Sequence, residues 1–225
     1  MIITICSIVY SNTLEVPFVF DDKSVIVENP IIKDLGYMVN PSEAKVHNGH
    51  FEYESFKHRY IGYLTFALNY WIHKLDVTGY HLVNLAIHIF NGLIVYWLVI
   101  LTFKTPFLNS SVLRERSTEI AFFASLLFTC HPLQTQAVTY IWQRVTSLSV
   151  TFYGLSLVLY ILWRLTSKKA SSFEVQMPIL FYFGSVISAV LAMKTKEIAF
   201  TLPVVILLYE LMFFEEKIKK RLLYI

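Results

Sequence analysis

The sequence predicts an all-α, polytopic transmembrane bundle of about six spans, and three observations carry that prediction. The chain is 56 % hydrophobic and 16 % charged, whereas a water-soluble domain carries about a quarter charged residues. Its apolar residues come in long runs such as "YHLVNLAIHIFNGLIVYWLVILTF" and "VTSLSVTFYGLSLVLYILW". Runs of that kind reach the roughly 17–25 residues that a bilayer-crossing helix needs. From residue 80 on, the runs are separated by short polar turns, and the chain shows neither a Gly/Ser linker nor an internal repeat.

Taken in order, the apolar segments fall at about 2–19, 80–103, 118–140, 145–165, 177–193 and 198–214, each judged against spanning length. The first lacks the basic start and small-residue cleavage site of a signal peptide, so it reads as a retained span, and a short one. Residues 20–79 then form one long polar stretch rich in His, Asn, Tyr and Glu. Within it "FKHRYIGYLTFALNYWIHKL" is aromatic and mixed in polarity, the pattern of a helix lying along the interface. The whole chain reads as a single membrane domain.

Basic residues orient the bundle. Lys104, Arg114 and Arg116 lie in one short loop, Arg164, Lys168 and Lys169 in another, and Lys217, Lys219, Lys220 and Arg221 in the tail. If six spans alternate, all of them share one side, which the positive-inside rule makes cytoplasmic. The N-terminus is then cytoplasmic. The 20–79 loop and the turns 131–144 and 194–197 are extracytoplasmic.

The formal charge of +3 offers no basic stripe for nucleic acid. Cys6 and Cys130 have neither ligand spacing nor a disulfide framework around them.

Several polar residues stand where apolar ones are expected. "FVFDD" places Asp21 and Asp22 side by side just beyond the first apolar segment. Adjacent carboxylates repel, so one holds its proton more tightly unless a cation or a ligand compensates. In the second segment His81, Asn84, His88 and Asn91 fall within about 80° of one helix face at 100° per residue. Such a face turns to the bundle, for interhelical hydrogen bonds or to line a substrate cavity. His81 and His88 are separated by about 10 Å of rise, too far to share one metal ion.

Pro132 follows His131 in "HPLQTQAVTYIWQR", so the third segment either kinks or breaks there. His131, Gln134, Gln136 and Arg144 then face the outer region, with Arg144 either snorkelling to the interface or binding phosphate. In "KTKE", Glu197 suits the start of the last helix, whereas Lys196 at that position calls for an anionic neighbour.

In order and spacing, "FVFDD", "GYHLVNLAIHIFNGLIVY", "HPLQTQAVTYIWQR" and "KEIAFTLPVVILLYE" resemble the membrane half of the transmembrane and tetratricopeptide-repeat O-mannosyltransferases. That family and its bacterial relatives lie within the GT-C glycosyltransferase superfamily. The resemblance covers nearly the whole chain and implies an inverting transferase. A mannose-like sugar would pass from a polyprenyl or dolichyl phosphate to a hydroxyl on a protein or glycan acceptor. The setting implied is the bacterial inner membrane or the endoplasmic reticulum.

The family has more spans, often followed by helical repeats. No such repeats are present here, so the chain looks like an N-terminal fragment. The resemblance implies Asp21 as base, with Asp22 raising its pKa or helping to hold a divalent ion. It implies Arg144, Lys196, His131 and Glu197 around the donor phosphate. A non-catalytic membrane scaffold or assembly subunit is the alternative reading. A transporter ranks below both, for want of an inverted repeat.

Overall fold

The computed structural model describes residues 1–47, 51–167 and 176–214. Lys168, Lys169 and the basic tail 215–225 lie outside the described residues. All regular structure is helical, with no strand among the described residues.

The helices run α1 (Ile2–Val9), α2 (Pro30–Lys33), α3 (Gly36–Val39), α4 (Phe51–His58), α5 (Tyr60–His73), α6 (Val77–Thr102), α7 (Ser117–Cys130), α8 (Thr135–Thr139), α9 (Arg144–Ser167), α10 (Gln176–Thr195) and α11 (Leu202–Phe213). Short 3₁₀ turns at Pro132–Gln134 and Ile141–Gln143 flank α8. Three helical stretches are long and apolar enough to cross a membrane: Val77–Thr102, Ile141–Ser167 and Met177–Thr195. The protein is a membrane protein on that evidence.

The first apolar segment departs from the sequence expectation, and the third takes the break that Pro132 offered. The first is not one helix: α1 stops at Val9, a 3₁₀ turn covers Ser11–Thr13, and irregular backbone follows to Phe20. The third breaks at its proline. His131 is extended (φ −64°, ψ 133°), because the residue before proline is pushed out of the helical region. Its Nδ1 accepts the Leu133 N–H at 3.2 Å, capping the turn that follows. The break leaves α7 with 14 residues, about 21 Å of rise.

α6 forms the spine. Asp76 caps its start by accepting the Thr78 N–H at 3.1 Å. It packs on α7 and α9, and α9 packs on α10. Gly92 sets the approach of α7: a Cβ there would lie 2.3 Å from Thr129 Cγ2. The Ser125 hydroxyl donates to the Gly92 carbonyl at 2.7 Å across the same contact.

The described residues of the 20–79 stretch fold as a cap. Val25, Ile26, Ile31, Ile32, Tyr53, Phe56, Tyr63 and Phe66 bury their side chains together with Tyr80 of α6 and Ile141 and Val145 at the head of α9. α5 carries two faces. Tyr63, Phe66 and Ala67 are buried, whereas Leu68, Trp71 and Ile72 are exposed, an arrangement suited to the membrane interface.

Candidate functional site

Three groups of polar residues meet where the cap rests on the start of α9. The first is the acidic pair. Phe20, just before it, holds a left-handed backbone (φ 50°), a conformation that costs a bulky residue roughly 1–3 kcal/mol. This turn separates the two carboxylates. Asp21 is exposed, while Asp22 is fully buried.

Asp22 accepts the Val19 N–H at 3.1 Å and the Trp142 N–H at 2.8 Å. Its carboxylate therefore sits on the amide end of the long helical stretch that begins at Ile141, where negative charge is favoured. Burial pushes its pKa up, against the N–H groups of Val19, Trp142 and Ile141 and the nearby His81, which pull it down. Asp21 lies within electrostatic reach of Tyr140, and the rings of Phe20 and Tyr140 meet edge to face at 5.9 Å.

The second group centres on Arg144, whose side chain is fully buried. Its Nε donates to Asn84 Oδ1 at 2.7 Å. One terminal nitrogen donates to Asn69 Oδ1 at 2.8 Å and to the Tyr80 carbonyl at 2.9 Å. The other reaches the Thr65 carbonyl at 3.4 Å. The guanidinium lies 4.5 Å from the Phe66 ring centre.

This corrects the sequence expectation for Arg144. The residue neither snorkels nor presents a free cation to a phosphate, because its donors are directed at four neutral oxygens of α5 and α6. It ties α5, α6 and α9 together, and Asp22 is the acid close enough to act on it electrostatically.

The third group lies at 194–197. The Lys196 ammonium donates to the Thr146 hydroxyl at 2.6 Å, and Thr146 donates onward to Gln143 Oε1 at 2.6 Å. Burial, with Arg59 alongside, holds the Lys196 pKa below the usual lysine range, against the pull of Glu197. Glu197 pairs with Arg59, at 3.4 Å between Oε1 and Nε. Its own backbone N–H and Arg59 lower its pKa although burial opposes them. Lys57, His58, Lys194 and Glu197 line a cavity of about 260 Å³ beside this pair.

Arg59 and Lys57 escaped the sequence reading. The signal was the basic run "FKHRY" at the start of the aromatic segment, read as an interfacial flank.

The polar face of α6 is buried throughout. His81 Nε2 lies 2.8 Å from the Val16 carbonyl, and His88 Nε2 lies 2.9 Å from the Thr129 carbonyl. Asn84 donates to the Val138 and Ile141 carbonyls, and Asn91 donates to the Ser147 carbonyl. His81 Nδ1 is buried without a hydrogen-bond partner.

His88, Asn91, Gln134 and Gln136 line a second cavity, of about 220 Å³, between α6, α7, the 131–137 turn and α9. His131 stands outside it, exposed. Among the described residues no three His, Cys, Asp or Glu side chains gather as a metal site. Asp22, the residue expected to help with a divalent ion, has both oxygens engaged by backbone N–H groups.

The arrangement offers an accessible carboxylate, Asp21, next to a buried one held by backbone N–H groups, and a separate group of cations around Lys196 and Arg59. No family model matches the sequence, and no solved structure gives a significant match. Curated relatives do match. The chain is 32 % identical over 169 residues to "Protein O-mannosyl-transferase F38B6.6" of Caenorhabditis elegans, covering 72 % of this chain and 22 % of the relative. It is 34 % identical over 159 residues to mouse "Protein O-mannosyl-transferase TMTC3", covering 68 % and 15 %. It is 29 % identical over 208 residues to human "Protein O-mannosyl-transferase TMTC1", covering 90 % and 22 %. The chain thus spans about a fifth of the length of these relatives. With identity near 30 % along most of its own length, the chain belongs by sequence to the TMTC protein O-mannosyl-transferases and matches the N-terminal membrane half of such a protein.

Proposed function

We propose that this chain carries the acceptor-activating part of a membrane glycosyltransferase. The transferase moves a mannose-like sugar from a polyprenyl or dolichyl phosphate to a hydroxyl of a protein or glycan, on the extracytoplasmic face. The setting proposed is the endoplasmic reticulum membrane, with the N-terminus cytoplasmic, on the strength of the basic loops.

The observation that carries this reading is the unequal state of the acidic pair. Asp22 is buried and hydrogen-bonded to the head of α9, and this fixes the turn that leaves Asp21 exposed.

In the proposed reaction the acceptor oxygen forms a bond to the anomeric carbon. The carbon–oxygen bond to phosphate breaks, and its electron pair leaves with the phosphate. Asp21 takes the hydroxyl proton as that bond develops. Lys196 and Arg59 supply positive charge for the departing phosphate. Glu197 holds Arg59 in place. Arg144 is a positioning residue, locking α5 and α6 to α9 beneath the acidic turn.

The donor class is tested by offering the purified protein a radiolabelled sugar either on polyprenyl phosphate or on a nucleoside diphosphate, with a hydroxyl-bearing peptide acceptor. Label is expected in the peptide from the lipid donor alone. Transfer from the nucleotide sugar in lipid-free detergent would contradict the reading.

A further inference from the structure

We propose that the rings of Phe20 and Tyr140 form a docking shelf for the acceptor polypeptide, one that favours an apolar side chain within two positions of the reacting hydroxyl. This role rests on the reading of Asp21 as the acceptor's base.

Phe20 is the anomaly that points to the shelf. Its side chain is 86 % exposed, while its backbone holds a φ of 50°. Left-handed backbone suits glycine and disfavours a bulky residue, and a phenyl ring left in the open gains nothing from the core. Both costs fall on the residue next to Asp21. Backbone strain of this kind gathers at functional sites.

The ring is held in place from two sides. In its own turn the Asp22 N–H donates to the Val19 carbonyl at 3.0 Å and the Val25 N–H to the Asp21 carbonyl at 2.9 Å. The Asp22 carboxylate fastens that turn to Trp142. Opposite it, Tyr140 is extended (φ −85°, ψ 107°). Its N–H donates to the Gln136 carbonyl at 3.2 Å, and its carbonyl accepts the Gln143 N–H at 3.1 Å. The two rings meet edge to face at 5.9 Å, and the Tyr140 hydroxyl comes within reach of Asp21. A preformed aromatic surface therefore adjoins the exposed carboxylate.

Its place in the fold favours a polypeptide over lipid. Lys196, just past the end of α10, donates to Thr146. Tyr140 and Trp142 stand one to two turns before Thr146, roughly 6–12 Å farther out at 1.5–2.0 Å per residue. The Phe20 ring also cannot enter acyl chains without drawing the exposed Asp21 carboxylate after it. A polypeptide offers an apolar side chain to the rings and a hydroxyl to Asp21 at once. The Cα atoms of residues 20 and 21 are about 3.8 Å apart, and two residues of an extended peptide cover about 7 Å, which sets the two-position reach.

The test is peptide binding to the purified protein in lipid nanodiscs, read by fluorescence anisotropy without a sugar donor so that no turnover occurs. The probes are two short labelled peptides with a single threonine, identical except for leucine or glycine at the positions flanking it. The leucine peptide is expected to bind about tenfold more tightly, the size of one partly buried leucine side chain. Phe20→Gly should erase that preference and hold its unfolding temperature, because glycine adopts this turn freely. Phe20→Trp should keep the preference.

Equal binding of the two peptides, or a preference unchanged in Phe20→Gly, would overturn the proposal. Quenching of the Phe20→Trp fluorescence by brominated lipid chains would assign the ring to the bilayer and overturn it as well. Each of these outcomes is read without turnover and leaves the Asp21 reading standing, since that fails only on native turnover in Asp21→Asn.

Discussion

The Asp22 carboxylate accepts the backbone N–H of Trp142 at 2.8 Å, joining positions 120 residues apart. One hydrogen bond thereby fastens the acidic turn after α1 to the head of the spanning stretch that begins at Ile141. The two neighbouring acids are pulled into different environments as a result, one buried and fixed, the other open to solvent.

Removing Asp22 should loosen this joint. Asp22→Ala leaves the Trp142 and Val19 N–H groups without their acceptor and should cost about 1–3 kcal/mol. Hydrogen exchange at the Trp142 amide should accelerate before global unfolding is affected. Because the folded pKa of Asp22 is raised, its contribution to stability is full below the unfolded carboxylate value and is lost as pH rises through the folded value. That slope should vanish in Asp22→Asn. An unchanged Trp142 exchange rate in Asp22→Ala would refute the joint.

Arg144 should prove intolerant of lysine. A single ammonium cannot reach Asn84, Asn69, the Tyr80 carbonyl and the Thr65 carbonyl together, nor stack on Phe66. Arg144→Lys should lower the unfolding temperature in detergent. Arg144→Leu should cost more, since Asn84 Oδ1 and Asn69 Oδ1 lose their donor inside the fold. Equal stability of Arg144→Lys and the native protein would show the network to be dispensable.

Lys196 predicts an alkaline limb. Its lowered pKa means that the ammonium loses its proton at a lower pH than an ordinary lysine. Donor binding should weaken as pH rises through that value, if the charge faces phosphate. Lys196→Arg keeps the cation and should carry the limb upward, while Lys196→Met should weaken donor binding at every pH. A limb unmoved in Lys196→Arg would assign the titration to another group.

Gly92 predicts the cost of a methyl group between α6 and α7. Gly92→Ala brings a Cβ within 2.3 Å of Thr129 Cγ2, so the helices must separate. Overpacking of this kind costs about 1–3 kcal/mol, and it should also weaken the Ser125–Gly92 hydrogen bond. Thr129→Ser, which removes the clashing methyl, should restore much of the loss in the double variant. No rescue would place the strain elsewhere.

Much of the outline was legible from composition and periodicity. Continuous apolar runs marked α6, α9 and α10, and the 3.6-residue spacing of His81, Asn84, His88 and Asn91 marked a face that the structure buries. Pro132 marked the place where α7 ends. The boundaries of the first segment were less legible, because "MIITICSIVYSNTLEVPF" is apolar by composition while its helix stops at Val9.

The folded state of 20–79 was hidden for a different reason. Its core is made by residues far apart in sequence, Ile26 and Phe56 against Tyr80 and Ile141, and no local pattern reports such contacts. The same holds for Arg144. A cation near a span end reads as snorkelling or ligand-binding, and only the convergence of Asn69 and Asn84 from two helices shows it to be enclosed. Arg59 was missed because its partner Glu197 lies 138 residues away.

The central claim is that Asp21 acts on the acceptor while Asp22 holds the turn. It is tested most directly by turnover of purified protein with a polyprenyl-phosphate sugar and a hydroxyl-bearing peptide, comparing native, Asp21→Asn and Asp22→Asn forms alongside their unfolding temperatures. The account predicts that Asp21→Asn loses about 10²–10⁴ in rate, the usual cost of removing a general base, at native stability, whereas Asp22→Asn loses stability and a smaller share of rate. Native turnover in Asp21→Asn would contradict it.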